Sequence, residues 1–381
     1  MSEYCGGSWV EVSKGRLAEN ARRVGAATGK GTEGVIAVVK ADAYGHGAKG
    51  VARALREAGV RKFAVAYVAE GAEIRESVPD AELIFLLGRA GAGDVGALRK
   101  WGITAAVVSE EHARELSEAA LADGGGPLGV HVKLDTGMGR LGFVCPEQTG
   151  EAVEAARLPG LRVEGACMHF AKVEPVSEPE WAEGQHRKFV AACDAVEAAA
   201  GRRLFRHTSA TRAALLMGAA DHDAVRVGIA LYGYETKGVE GGRFVTEPVL
   251  SWKTRVTLVK RVPAGFRCGY DGTWAAGRES VVATLAVGYA DGYRRSFGNR
   301  APVLVNGVRC PVAGRVSMNW LIADVTEAVR RGPVRVGDEV VLIGRQGEES
   351  VWADELAGLD GTISYEILTS LSNRLERRMV E

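Results

Sequence analysis

The sequence predicts an α/β chain, a (β/α)8 barrel followed by a mostly β domain, and three observations carry that reading. From residue 35 to about 230, short β-branched runs alternate with helical stretches. After about residue 245 the pattern becomes a period-two alternation. At 381 residues the chain also has room for two domains or three.

The candidate barrel strands are, in order, "VIAVV", "KFAVAY", "ELIFLL", "ITAAVV", "GVHVKL", "RVEGACM", "RLFRH" and "AVRVG". Runs so continuously apolar suit parallel strands buried on both faces. Between them lie amphipathic helices such as "EEHARELSEAALAD" and "GQHRKFVAACDAVEAAA", whose apolar residues recur at three and four. "ADGGGPLG" reads as a loop from helix to strand. Parallel strands need crossover helices, and eight such units read as a closed barrel. An open doubly wound sheet is the alternative.

In the second region "SWKTRVTLVKRV" alternates, "VLVNGVRCPVAG" carries an Asn306-Gly307 hairpin signal, and "VRVGDEVVLIG" supplies another strand. "YEILTSLSNRLERR" reads as a closing helix with arginines at the negative end of its dipole. The expected domains are therefore residues 1–245, the barrel, and 246–381, the β domain.

Composition narrows the function. Lysine plus arginine and aspartate plus glutamate both number 48, and no basic block is interleaved with aromatics, which argues against nucleic acid or an anionic membrane surface as partner. A small molecule is the expected partner. The start, "MSEYCGGSWVEV", has no charged segment leading into an apolar one, and no apolar stretch approaches the roughly 20 residues of a membrane span, so a cytoplasmic location is expected. Cys5, Cys145, Cys167, Cys193, Cys268 and Cys310 lie far apart, with no CxxC pair. That spacing suits reduced thiols and offers no metal-ligand set.

"AVVKADAYGHG", residues 37–47, is the first segment that asks for chemistry. A buried strand does not want an ammonium group, so Lys40 either reaches solvent or acts at the strand's end. In a barrel the reactive groups gather at the carboxyl ends of the strands. Just past the candidate strands stand Lys40 and Tyr44, Lys133 and Arg140, His169, His207 and Arg226. Each alone has an ordinary structural reading: a solvated lysine, a hydrogen-bonded histidine, an ion-paired arginine.

Together with "VHVKLDTGMGRLGF", "MHFA", "RVGIALYG", "CGYDGTW", "VGYADGY", "GRVSMN" and "ISYEIL", the opening segment resembles the fold-type III alanine racemases over nearly the whole chain. These are pyridoxal phosphate enzymes with an N-terminal (β/α)8 barrel and a C-terminal β domain. The resemblance implies that Lys40 carries the cofactor as a Schiff base and serves as base on one face of the amino acid, for which its pKa must be depressed. Tyr270, donated by the other subunit of a homodimer with shared active sites, would be the acid/base on the opposite face. His169 beside Arg226 would be the polar chain that tunes that phenol. Arg226 would face the pyridine nitrogen and leave it unprotonated, since guanidinium keeps its proton. Decarboxylases of this barrel class carry an acidic group there, so the arginine argues against them.

The resemblance further assigns the phosphate to Tyr44, Tyr365, Thr211 and the backbone N–H groups of Gly228 and Ile229. It assigns the substrate carboxylate to Arg140 and the backbone of Met318, with Tyr289 and Met318 of the partner narrowing the pocket. Lys133 would orient Arg140, in many relatives as a carbamate. The implied reaction is interconversion of L- and D-alanine, supplying D-alanine for peptidoglycan; serine or a broader amino-acid set is the alternative substrate. No metal is implied.

Four positions, in three segments, depart from the family pattern. "HTSAT" has Ala210 and Thr211 where HxxNS is usual after His207, Asn319 stands where an aspartate follows the methionine, and Glu174 replaces an aspartate at the entrance. With Arg295 and Arg315 expected along the substrate corridor, the missing charge at Asn319 predicts a more positive path. A non-catalytic pyridoxal phosphate carrier is the reading from another class, but such single-domain barrels lack the second domain and with it Tyr270.

Overall fold

A computed structural model describes residues 7–174 and 179–381, so Cys5 lies outside the described residues. All eight candidate strands are present and form one parallel sheet. Its order is Val225–Val227, Val35–Val38, Lys62–Val65, Leu83–Leu86, Ile103–Val107, Leu128–Asp135, Leu161–Cys167 and Phe205–His207. The order follows the chain without reversal, and the last strand returns beside the first in register Val225 to Val35. An open doubly wound sheet would reverse partway. At the seam, Asp223 N–H donates to Arg206 O (3.0 Å) and Arg226 N–H to Ser209 O (2.8 Å), bringing the last two strands together and nearly closing the barrel.

The barrel interior explains part of the sequence pattern. Phe85, His131 and His207 come from alternate strands and meet inside, with Phe85 and His131 stacked at 5.1 Å and His207 edge-on to Phe85 at 4.9 Å. Alternate strands supplying one layer is the expected packing of such a barrel. Gly165 makes room for the imidazole, because a Cβ there would sit 2.7 Å from the His131 ring.

The second compact unit is mostly strand. Leu250–Val262 pairs with Ser280–Leu285 and with Glu339–Gln346. The hairpin Pro302–Val305/Val308–Pro311 turns on Asn306 (φ 50°) and Gly307 (φ 69°), both left-handed as a two-residue loop requires.

Two expectations need correction. The strand Ser8–Ser13 belongs to the β unit rather than to a barrel of residues 1–245: it lies antiparallel to Leu250–Val262 and parallel to Glu376–Val380. Trp252 Nε1 donates to Ser8 Oγ (2.8 Å), and the Trp9 ring sits 5.0 Å from the guanidinium of Arg255 and 5.0 Å from that of Arg378. The β unit thus comprises the described residues up to Arg16, Tyr44–Gly47 and Pro248–Glu381, and the barrel unit comprises Leu17–Ala43 and Ala48–Glu247.

The closing helix is also shorter than its periodicity suggests. It spans Ser364–Thr369, and Glu376–Val380 is a strand. The arginines expected at a helix end have other partners: Arg374 pairs with Asp291 (2.6 Å), and Arg377 donates to the carbonyls of Ser372 (2.7 Å) and Leu375 (2.8 Å), bracing the turn into the strand.

No described helix is long and apolar enough to cross a membrane. The five described cysteines are free and buried, and no metal-binding cluster occurs among the described residues.

Candidate active site

The first barrel strand ends in an unusual turn. Lys40–Gly45 is helical, but Ala41, Asp42, Ala43 and Tyr44 have φ of 53°, 53°, 53° and 56°, and Gly45 has 80°. The turn is left-handed. L-residues resist this conformation by roughly 1–2 kcal/mol each, so surrounding bonds must hold it. Ala43 N–H donates to Val39 O (2.9 Å), Ala48 N–H to Asp42 Oδ1 (2.7 Å), and Ala41 N–H to Glu70 Oε1 (2.8 Å). Lys40 opens this turn and is half-buried. Burial, then the charge of Arg140, draws its pKa below the ordinary lysine value, while Glu70 acts the other way.

Lys133 lies on the fifth barrel strand and is buried. Burial lowers its pKa; Arg226 and Arg140 add to that, whereas Cys167 and Asp135 oppose it. Arg140 is positioned by Asp135, whose Oδ1 accepts from Gly137 N–H (2.9 Å), Met138 N–H (2.8 Å) and Gly139 N–H (3.1 Å) and whose Oδ2 accepts from Arg140 N–H (3.2 Å). One buried carboxylate therefore fixes the whole loop.

Arg226 is buried on the last strand. Its Nη1 donates to His207 Nδ1 (2.9 Å) and to His207 O; its Nη2 donates to Met168 O (2.6 Å) and Thr208 O (3.0 Å). All the hydrogen bonds of its side chain to described residues leave from these two atoms, so Nε–H donates to none of them. Burial lowers the Arg226 pKa, yet guanidinium starts far above neutrality and keeps its charge. His169 is pushed down to about 3 by burial and then by the charges of Arg226, Lys133, Arg140 and Lys40, and is neutral at ordinary pH. Lys40 and His169 follow the ends of their barrel strands, Lys133 and Arg226 lie near the ends of theirs, and Arg140 follows the fifth, so all five stand toward the carboxyl end of the barrel.

To the expected pairing of His169 with Arg226 the structure adds His207. The imidazole bonded to Arg226 is His207, because His207 ends the strand across the seam, while Arg226 reaches only the carbonyl of Met168 next to His169. His207 continues to His131, with Nε2 and Nδ1 2.8 Å apart. Thr211 is buried at the start of helix Thr211–Leu216, whose cap residue Ala210 offers no side-chain acceptor. Gly228 and Ile229 are buried and open a turn in which Leu231 N–H donates to Gly228 O (2.8 Å) and Tyr232 N–H to Ile229 O (3.1 Å).

The remaining site residues belong to the β unit. The Tyr44 and Tyr365 rings lie 5.8 Å apart. Tyr289 and Met318 are brought together by backbone bonds, Tyr289 N–H to Ser317 O (3.0 Å) and Ala290 N–H to Met318 O (3.0 Å), and a Cβ on Gly288 would sit 2.3 Å from Met318 O. Tyr270, Tyr289 and Met318 are exposed, Tyr270 by 69%. Asp271, with φ of 60°, pairs with Arg315 at 2.9 Å, so the charge of that arginine is balanced by a neighbouring carboxylate. At the other departure, Glu174 is held by Arg212 (2.7 Å).

Sequence reasoning missed Asp135, Glu70 and His131. An aspartate directly before a glycine-rich turn was the available signal for Asp135. A histidine at an inward position of a buried strand was the signal for His131.

Two desolvated lysines, a buried arginine and a neutral histidine at the mouth of a parallel barrel define an enzyme that handles a small anionic substrate with an amine. The family described as "Alanine racemase, N-terminal domain" matches residues 12–236, and "Alanine racemase, C-terminal domain" matches residues 249–379. An alanine racemase of Symbiobacterium thermophilum is 40% identical over 377 residues, covering 97% of this chain and 96% of that protein. The structure of alanine racemase from Bacillus anthracis with bound L-Ala-P superposes with a TM-score of 0.87 at 32% identity, covering 98% of this chain and 95% of that one. The alanine racemase of Bartonella henselae with covalently bound pyridoxal phosphate gives 0.85 at 25% identity, covering 98% and 99%. The chain belongs to the alanine racemase family, and with it to the isomerases.

The family depends on pyridoxal phosphate, and the donor set fits that group. Lys40 offers an amine of lowered pKa, Arg226 an uncommitted N–H, and Thr211 a buried hydroxyl.

Proposed function

We propose that this enzyme interconverts L- and D-alanine in the cytoplasm as a homodimer, supplying D-alanine for peptidoglycan. Pyridoxal phosphate, when bound, supplies an aldehyde for amines and an electron sink that acidifies the substrate Cα–H. Lys40 takes or returns the Cα proton on one face, and Tyr270 of a second copy serves the other, because a single base would mostly return the proton to the side it left. Arg140 holds the substrate carboxylate together with the backbone of Met318, and Lys133, as an amine or a carbamate, orients Arg140. Tyr289 and Met318 narrow the pocket to a methyl side chain. Tyr44, Tyr365, Thr211, Gly228 and Ile229 hold the phosphate.

Arg226 keeps its proton on the guanidinium and would hold the ring nitrogen of the bound cofactor without giving it one. An electron sink weakened in that way would favour return of the proton to Cα over transfer of the amino group. Neutral His169 exchanges hydrogen bonds without adding a charge beside Arg226.

Lys40 is the observation that carries this reading: an amine at the end of the first barrel strand, drawn below its ordinary pKa by burial and by Arg140. Chiral chromatography after incubation with L-alanine and pyridoxal phosphate tests it. D-alanine should accumulate to equal amounts, and Lys40→Ala should produce none; unchanged L-alanine at high protein concentration sinks the reading.

A further inference from the structure

Glu70 sits in the first turn of helix Val68–Ser77, after the second barrel strand. Its Oε2 accepts from Ala66 N–H (2.7 Å) and Tyr67 N–H (3.2 Å), ordinary work for a carboxylate at a helix start. Its Oε1 leaves that helix and accepts from Ala41 N–H at 2.8 Å, 29 residues earlier in the chain. Ala41 follows Lys40 and begins the left-handed run. The first N–H groups of any helical turn lack an acceptor inside the turn. Here Ala43 N–H is taken by Val39 O, so Ala41 N–H needs an acceptor from elsewhere, and Glu70 supplies it.

We infer that Glu70 is a positioning residue for Lys40: one carboxylate ties the start of helix Val68–Ser77 to the N–H that opens the left-handed turn, and so fixes where the Lys40 amine is presented. Neither close analogue can replace it. Aspartate is one methylene too short to span both backbones, and glutamine turns one of the two acceptors into a donor facing an N–H. The charge matters as well, since Glu70 is the anion that opposes Arg140 at the amine. Lys40 is thereby held in place and kept from losing its proton too readily. The activity arm of the test rests on the racemase reading; the titration arm does not.

The experiment compares Glu70→Gln and Glu70→Ala with the unsubstituted full chain. In the cofactor-free chain, acetic anhydride labelling at Lys40, read by peptide mass spectrometry across pH, gives the titration of that amine. In the loaded enzyme, kcat and KM for alanine are measured. The labelling midpoint should fall by about one pH unit in Glu70→Gln, which keeps the length of the side chain but loses the charge and one of the two acceptors. kcat should fall about tenfold with KM within about twofold, because the carboxylate site at Arg140 is untouched. If Glu70→Ala does not fold, Glu70→Gln carries both readouts. A lowered melting temperature with the Lys40 titration and kcat unchanged would reduce Glu70 to a helix cap and overturn the proposal. Absence of racemisation by the unsubstituted chain would instead remove the racemase reading, and the labelling midpoint alone would then decide Glu70.

Discussion

Arg226 Nη1 donates to His207 Nδ1 at 2.9 Å, and this contact sets the ring protons of two histidines. Guanidinium can only donate, so His207 Nδ1 accepts and the proton of the neutral ring lies on Nε2, directed at His131 Nδ1 2.8 Å away. His131 then carries its proton on Nε2. His207→Phe keeps a ring beside Phe85 but removes both bonds, leaving a buried donor and a buried acceptor without partners. Unfolding in urea should show a loss of about 2–4 kcal/mol. A loss below about 1 kcal/mol would mean that the chain contributes little.

Tyr270→Phe tests the opposite-face base. The side chain is 69% exposed in the single chain, so stability should stay within about 0.5 kcal/mol of the unsubstituted protein. Racemisation should fall by at least about a thousandfold while the cofactor remains bound, read from its absorbance. An unaltered rate would move the second proton transfer to another residue.

Asp135 answers for the loop that carries Arg140. Asp135→Ala removes an acceptor shared by four backbone N–H groups, and KM for alanine should rise more than kcat falls. Asp135→Asn keeps one oxygen and should fall between the two. Equal KM values for all three proteins would separate the loop from substrate binding.

Much of this architecture was readable. The eight barrel strands were legible because β-branched runs buried on both faces carry their own signature, and Asn306-Gly307 declared its hairpin. Ser8–Ser13 was not, since nothing local says that a strand pairs with Leu250–Val262 rather than with its neighbours in sequence. The run after Thr369 misled because Leu371 and Leu375 keep a helical spacing while lying in the irregular stretch between the helix and the strand Glu376–Val380. Lys40, Lys133, His169 and Arg226 were legible as polar residues at strand ends. The left-handed turn was not, because no rule of local preference gives four successive alanine-, aspartate- or tyrosine-type residues positive φ.

Acid should weaken the fold through the interior histidines. His131 and His169 are held down to about 3 by burial and then by Arg226, against an ordinary value of 6.5. Their folded pKa values lie below the unfolded ones, so the unfolded chain binds more protons in acid. The stabilisation is complete above about pH 6.5 and is lost progressively as pH falls from there toward about 3. Urea midpoints should be level from about pH 8 to 7 and decline by about pH 5, with a shallower slope in His131→Asn. A level response down to about pH 5 would contradict this.

Ala41 offers a direct measure of strain in the turn. It is exposed and has φ of 53°, so Ala41→Gly removes a steric penalty without opening a cavity. Stability should rise by up to about 1 kcal/mol, after allowing for the greater freedom of glycine in the unfolded chain. A decrease would show that the surrounding bonds relieve the turn completely.

The strand Ser8–Ser13 has neighbours separated from it by most of the chain, Leu250–Val262 on one side and Glu376–Val380 on the other. During synthesis it precedes the barrel and has neither neighbour while the barrel is translated. Its open edges are then a hazard for clumping with other nascent chains, relieved on one side by Leu250–Val262 and on the other only by Glu376–Val380.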